Sequence, residues 1–502
     1  MFSIFMATFA MLVAVSGGSK QMSDVLATNQ TKTKIAQLTC FVAGIYFFFD
    51  PYASIVLMGN IIGPLVKVFP VSAEKFALIV DSTALPVATI VPVSTHMTGV
   101  SNMLVQEIND EDEEELQDID AKTVLIKSLK YQFFPILLLT LTLALIISGR
   151  DAGRMLKVEK ENWTHFLDNG AVRAKKDQEA ENPSRIWNWW IPMVVITVLI
   201  WVSFGQMDEN NPSGDVALSM STWMTAAGAS VVVVQLLFVF QTKRGEAIGC
   251  CGFHHGSGSE RPDLTFLTET YPSTSTSKSE GIEEHEEDNN KSEPEGPHQA
   301  PDSDFDPAPT TKDGPKEKTY SLLSLRRSFD CYIVSTRKSI PLAFALVSCW
   351  AATSVYSDLG LDRIVTGWVL HEDINVEVLP IVTFFSSFLL AMTSGSSYST
   401  IATIVSALTV PVVEKNGGSE DAFAAFLGSL ISGSVAGCFC GPFTETTILS
   451  SFSAESNVRE HFLSKLPYAM TALIAGSAVG TVPVSLGAYP DFAGLLVGIG
   501  IV

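Results

Sequence analysis

The chain has 502 residues, 47% of them hydrophobic and only 17% charged, with a formal net charge of −21 at pH 7. So little charge excludes an ordinary soluble protein, and the acidic balance excludes a nucleic-acid partner. The seven cysteines are scattered, so neither a disulfide framework nor a zinc-ligand spacing is visible.

Runs of about 18 or more residues with little charge read as membrane spans. The first is 1–16, a retained span rather than a signal peptide, because it lacks a basic leader and an A-x-A cleavage site. Others follow near 36–49, 77–97, 131–148, 189–206, 219–240, 339–356, 378–412, 421–440, 466–484 and 486–502. The run 378–412 is long enough for two segments. The expected fold is therefore an all-α polytopic membrane protein with about ten to twelve transmembrane segments.

Polar stretches divide the chain. Residues 1–148 form a first transmembrane repeat with an acidic loop at 107–122, and 149–188 is a basic loop. Residues 189–241 hold two connecting spans, 242–325 is a polar tract expected to be disordered, and 326–502 is a second repeat. Lys and Arg crowd 149–188 and the margins of 241–338, which places both in the cytoplasm. The tract 242–325 is a candidate docking region for cytoplasmic partners. Which membrane is occupied is not legible.

The two halves echo each other. In the first, a span is interrupted at "FFFDPYAS" (47–54) and a second polar break follows at "VDSTALP" (80–86). In the second, the interruptions are "MTSGSSYST" (392–400) and "GPFTETTILSS" (441–451). Asp81-Ser82-Thr83 and Glu445-Thr446-Thr447 share the pattern acid, hydroxyl, threonine. Corresponding interruptions in two halves are the sequence mark of a secondary transporter built from inverted repeats, with broken helices or re-entrant hairpins meeting at mid-membrane. No Walker A motif is present, so ATP-driven transport is not indicated.

An acid inside a span costs roughly 2.5–3.5 kcal/mol on insertion scales and usually faces the protein interior. Asp50 is followed by Pro51, which lacks an amide donor, so the pair makes a broken helix with a carboxylate suited to a cation or proton. The simpler reading, an acid at the membrane surface ahead of a helix-starting proline, weighs less because apolar sequence continues on both sides. Asp81, with Ser82 and Thr83, is an ion-site candidate or an N-cap, and the two roles are compatible. Glu445, Thr446 and Thr447 gain weight from the parallel with Asp81. Thr393, Ser394, Ser396, Ser397, Ser399 and Thr400 suit sodium or a carboxylate substrate, against hydroxyls that merely bond back to their own helix. Asn60 is a ligand or an end cap. His96, read as the only histidine inside a span, is a candidate proton relay, although a satisfied core histidine weighs more.

These segments resemble the NhaC family of sodium/proton antiporters. That family carries a pattern near F-D-D-Y-A-N, then V-G-N-x-x-R-P, then V-D-S-T-A-A-P-V-A; this chain reads "FDPYAS", "MGNIIGP" and "VDSTALPVA" in the same order. "SGSSYST" resembles the family's T-G-T-S-W-G-T, and "GCFCGPFTETTILSS" its G-D-H-x-S-P-x-S-D-T-T-I-L-S-S. The likeness covers roughly 1–150 and 330–502. Pro51 stands for a second Asp, Ser54 for Asn, Cys438 and Phe439 for an Asp-His pair, and Glu445 for an Asp. Against that family the first spans are missing before residue 1, as expected of either a shortened form or a truncated start; the resemblance also implies a homodimer in the lipid bilayer, and no cofactor is expected. The resemblance further implies sodium/proton antiport, with sodium and protons competing at Asp50 and Asp81 and Ser54, Asn60 and the hydroxyls assisting. The lost acids keep two alternatives in view: sodium- or proton-coupled carriage of a small organic acid or amino acid, and a membrane scaffold or sensor that does not transport.

Overall fold

The first interruption falls where Asp50 and Pro51 place it. Helix α1, Lys32–Tyr46, ends in a turn, and α2, Pro51–Leu57, starts with Asp50 as N-cap and Pro51 at its first position. That proline sits where the missing amide costs nothing. Helix α2 runs on through a π-turn at Met58–Ile62 into Gly63–Val66.

The structure is a computed structural model and describes chiefly residues 32–67, 69–110, 121–164, 325–360, 377–415 and 419–502. These lie in one unit, Met1–Ala247 with Ser321–Val502. The second unit, Ile248–Tyr320, falls outside the described residues, as does most of the expected spans 1–16, 189–206 and 219–240. Among the described residues all regular structure is helical.

Helix α3, Ala73–Ile90, is capped by Ser72, and α4, Thr95–Asp110, follows a short break. Helix α5, Ala121–Ser128, passes through a 3-10 turn at Leu129–Tyr131 and bends by 48° into α6, Phe133–Ser148, which ends at Gly149. Helix α7 covers 153–164, inside the segment read as a basic loop. The second half holds α8, Leu325–Asp358, α9, Leu379–Ser394, α10, Ser397–Lys415, and α11, Glu420–Cys440. It ends with α12, Glu445–Ser453, α13, Val458–Ile474, a π-turn at Ala475–Thr481 continuing to Ser485, and α14, Asp491–Ile501. The run 378–412 thus holds two helices, α9 and α10.

Three helical stretches among the described residues are long and apolar enough to cross a membrane alone: Ala73–Ile108, Glu420–Cys440 and Val458–Ser485. The bent pair α5–α6 makes a fourth if counted as one span.

Helix α11 is the central post. It is apolar on every face and buried from Phe423 to Cys440 apart from a half-buried Ala425, packed by α5, α6, α9 and α10. In a membrane, helices gain little from removing apolar surface from lipid, so close contact between small residues carries the packing. Gly433 provides it: a Cβ there would collide with the Phe384 carbonyl and the Ser387 hydroxyl of α9. Elsewhere apolar side chains face outward, as with Leu38, Val42 and Ile45 along one stripe of α1, the surface expected toward lipid.

The structure corrects one expected break. Residues 80–86 do not interrupt a helix; α3 runs unbroken through Asp81 and even Pro86. The hydroxyls that suggested a break bond within the helix, Ser82 Oγ and Thr83 Oγ1 donating to the Ile79 carbonyl at 3.1 and 2.8 Å. The chain breaks later, at 91–94, where Pro92 follows.

Candidate functional site

Asp81 lies mid-way along α3, wholly buried, and meets Lys465 of α13. The Lys465 ammonium donates to Asp81 Oδ2 at 2.6 Å and to Thr447 Oγ1 of α12 at 2.6 Å. Its Nζ also sits 4.6 Å from the centre of the Phe439 ring. His461, one turn before Lys465, brings Nε2 to 3.4 Å from Asp81 Oδ2 and 3.3 Å from Ser450 Oγ. The Asp81, His461 and Lys465 side chains are at most 1% exposed. One carboxylate oxygen, Asp81 Oδ1, has no hydrogen-bond partner among the described residues.

Thr447 extends the cluster. Its hydroxyl donates to the Gly441 carbonyl at 3.1 Å and lies 2.7 Å from Thr444 Oγ1, which donates to the Cys438 carbonyl at 2.6 Å. Lys465 thus joins Asp81 to a run of hydroxyl and carbonyl oxygens, Thr447, Thr444, Gly441 and Cys438, at the C-terminus of α11. Oxygens of this kind suit a hard monovalent or divalent cation.

The interruptions pair off, and the two pairs are built alike. The Thr95 amide donates to the Phe49 carbonyl at 2.8 Å, and the Glu445 amide to the Gly395 carbonyl at 2.9 Å. Each pair adds a hydroxyl–carboxylate bond with the roles exchanged. Thr95 Oγ1 donates to Asp50 Oδ2 at 2.7 Å, and Ser396 Oγ donates to Glu445 Oε1 at 3.1 Å. An aromatic side chain from the start of one helix meets the start of another in both cases. The Tyr52 hydroxyl and the Ser397 amide face the Glu445 carboxyl, while the His96 ring sits edge-on to Tyr398 at 5.5 Å. Gly395, at φ 80°, makes the turn that lets α9 end and α10 begin.

This geometry separates the two triplets that look alike in sequence. Asp81 sits mid-helix in α3, whereas Glu445 is the first residue of α12. The counterpart of Glu445 in the first half is Thr95, and that of Ser396 is Asp50.

The other predicted residues fall as follows. Asp50 is half-buried, and its second oxygen, Oδ1, accepts from the Ala53 amide at 2.7 Å, so both oxygens are engaged in holding the break. Ser54 is buried with no partner for its hydroxyl among the described residues, and Asn60 donates to the Val56 carbonyl of its own helix at 3.0 Å. Thr393 and Thr400 bond back to the Leu389 and Ser396 carbonyls. Ser394 lies 3.2 Å from Thr400 Oγ1, and Ser397 lies 3.0 Å from Ser434 of α11. Thr446 is buried in the first turn of α12. His96 is buried with Nε2 unpartnered among the described residues.

His96 is not alone: His461 is a second histidine buried inside a candidate span. Sequence reasoning missed both His461 and Lys465 because the charges of "NVREHFLSK" pushed the apparent start of that span to 466. The usable signal was the i, i+4 spacing, which puts both side chains on one helix face.

Comparison with known proteins finds a family likeness over part of the chain. Residues 323–485 match the model of the Na+/H+ antiporter family, about a third of the chain. The match contains Glu445, Thr447, His461 and Lys465, and ends short of the first half, where Asp50 and Asp81 lie. A protein of Haemophilus influenzae described as an "Uncharacterized protein" is 21% identical over 495 residues, covering 98% of this chain and 79% of its own length. No solved structure matches the chain. The match and the apolar helices support an integral membrane protein of the cation/proton antiporter type, a transporter rather than an enzyme.

Proposed function

We propose that the chain exchanges sodium for protons at Asp81. The observation that carries this reading is the wholly buried Asp81–Lys465–Thr447 cluster, in which Asp81 Oδ1 has no hydrogen-bond partner among the described residues. A buried ion pair with one idle acceptor is costly unless that oxygen has a use. Sodium arriving at Asp81 competes with the Lys465 ammonium for the carboxylate, and Thr447 Oγ1 is placed to complete its shell. A proton delivered to the same carboxylate dismisses both cations, which makes sodium and proton occupancy mutually exclusive. Asp50 and Glu445 hold the paired interruptions beside this site, with Ser54, Asn60, Ser82, Thr83 and the hydroxyls of 393–400 as supporting oxygens. The likeness of the two pairs supports two inverted repeats, in a bundle of about ten to twelve spans.

The test uses purified protein in liposomes with an imposed sodium gradient and a dye for lumenal pH. Wild type is expected to move protons against sodium, and Asp81→Asn to abolish the signal. Asp50→Asn keeps the helix cap, since Asn caps as well as Asp, and is expected to lower exchange only if that carboxylate carries charge. Pumping that survives both substitutions sinks the reading. A second reading, coupled carriage of a small organic acid, is favoured by the Lys465 cation, which would pair with a substrate carboxylate once Asp81 is occupied. Competition between such acids and sodium-driven proton movement separates the two.

A further inference from the structure

The segment read as a basic loop crosses the ends of the two helices that carry the ion pair. Asp151 pairs with Lys75 of α3, a side chain only 2% exposed, and also accepts from Tyr468 Oη of α13 at 3.3 Å. The Ala152 amide donates to the same Tyr468 Oη at 2.8 Å. Arg154 forks onto Glu460 of α13, Nε to Oε2 at 2.9 Å and Nη2 to Oε1 at 2.7 Å. Glu159 Oε1 accepts from the amide and the hydroxyl of Ser72, the N-cap of α3, at 2.9 and 2.5 Å. Met155 is fully buried beneath the helix, most of whose other side chains are exposed.

These ties alternate between α3 and α13, and Asp151 joins both at once. A group bonded to two helices fixes their separation. Lys75 precedes Asp81 by six residues, roughly 9 Å along the helix. Glu460 and Tyr468 stand on either side of Lys465 in α13. The two helices cannot part at the ion pair without releasing the segment.

We propose that 149–164 is a latch. Docked, it holds α3 against α13 and closes the Asp81–Lys465 pair from the side on which the segment lies; released, it opens the pair to water on that side. This rests on Asp81 and Lys465 being the transport site, and not on which solute they carry.

Cys440 is a native reporter, buried and adjoining Phe439, whose ring underlies Lys465. Full-length protein in liposomes is exposed to a membrane-impermeant maleimide from each side in turn, and modification of Cys440 is read by peptide mass mapping. Arg154→Glu and Glu460→Arg are each expected to speed labelling from the segment's side by about two- to fivefold, the factor that an exposed ion pair can supply. The double reversal is expected to return it to the wild-type rate. Tyr468→Phe, which changes no charge, is expected to act in the same direction. Unchanged labelling in the single variants, no recovery in the double, or equal gains from both sides overturns the latch. A labelling response without sodium-driven proton movement keeps the latch and removes the antiport reading; the reverse result removes the latch alone.

Discussion

Lys465 is the side chain on which the site's stability turns. Its charge is buried and balanced by one carboxylate, so removing either partner strands the other. Breaking such a pair costs about 3–5 kcal/mol, whereas replacing both partners with well-packed neutral groups is often neutral or stabilising. Lys465→Met is therefore expected to lower thermal stability in detergent sharply, and Asp81→Asn with Lys465→Met to recover most of the loss. A double variant as unstable as the single would show that the two charges do not compensate each other. Asp81 was legible in the sequence because an acid in an apolar run has few bland uses. Lys465 was not, because charged neighbours made it look like the edge of a loop and its partner lies 384 residues away. Asp50 shows the limit of the same reasoning. Its position at a helix break was legible, yet pattern alone could not show that Ala53 and Thr95 engage both its oxygens.

At the scale of elements, the breaks at Asp50, Gly395 and Gly441 could be read from proline and glycine, whose backbone limits act locally. The break expected at 80–86 could not be judged so, since whether a hydroxyl ends a helix or bonds back along it depends on the packing around it. Helix α7 was hidden for a related reason: its sequence is mostly charged, and only its ties to α3 and α13 give it a fixed place. Those ties carry a pH dependence. Burial holds the Glu159 carboxyl above the usual carboxylate range, outweighing the Ser72 hydrogen bonds that act the other way, while Asp151 adds to the rise and Lys75 opposes it. The folded chain then keeps a proton that the unfolded chain has released, so stability falls as pH rises from the ordinary glutamate value to the raised one, and levels off above it. Thermal unfolding of wild type from about pH 4 to about pH 8 should show this decline, and Glu159→Gln should flatten it. A variant whose curve keeps the wild-type slope would assign the dependence to other groups.

Across the whole molecule, the transporter and scaffold readings make opposite demands on the chain. Exchange at Asp81 needs only the unit formed by Met1–Ala247 and Ser321–Val502, which contains both members of the ion pair, the paired interruptions and the latch segment. A scaffold that has lost transport needs instead the polar stretch between those two parts, where partners would dock. Ile248–Tyr320 divides from the rest as a unit of its own, so its removal leaves the residues of the proposed site intact. Replacing 248–320 by a short Gly/Ser linker is expected to leave the detergent melting temperature unchanged and sodium-driven proton movement within about twofold of wild type, since a flexible linker joins the flanking ends without imposing a new conformation. The same deletion in Asp81→Asn should remain silent in the liposome assay. If instead cellular function vanishes with 248–320 while neutralising Asp81 changes nothing, the buried pair is a structural relic of exchange and the polar tract is the working part.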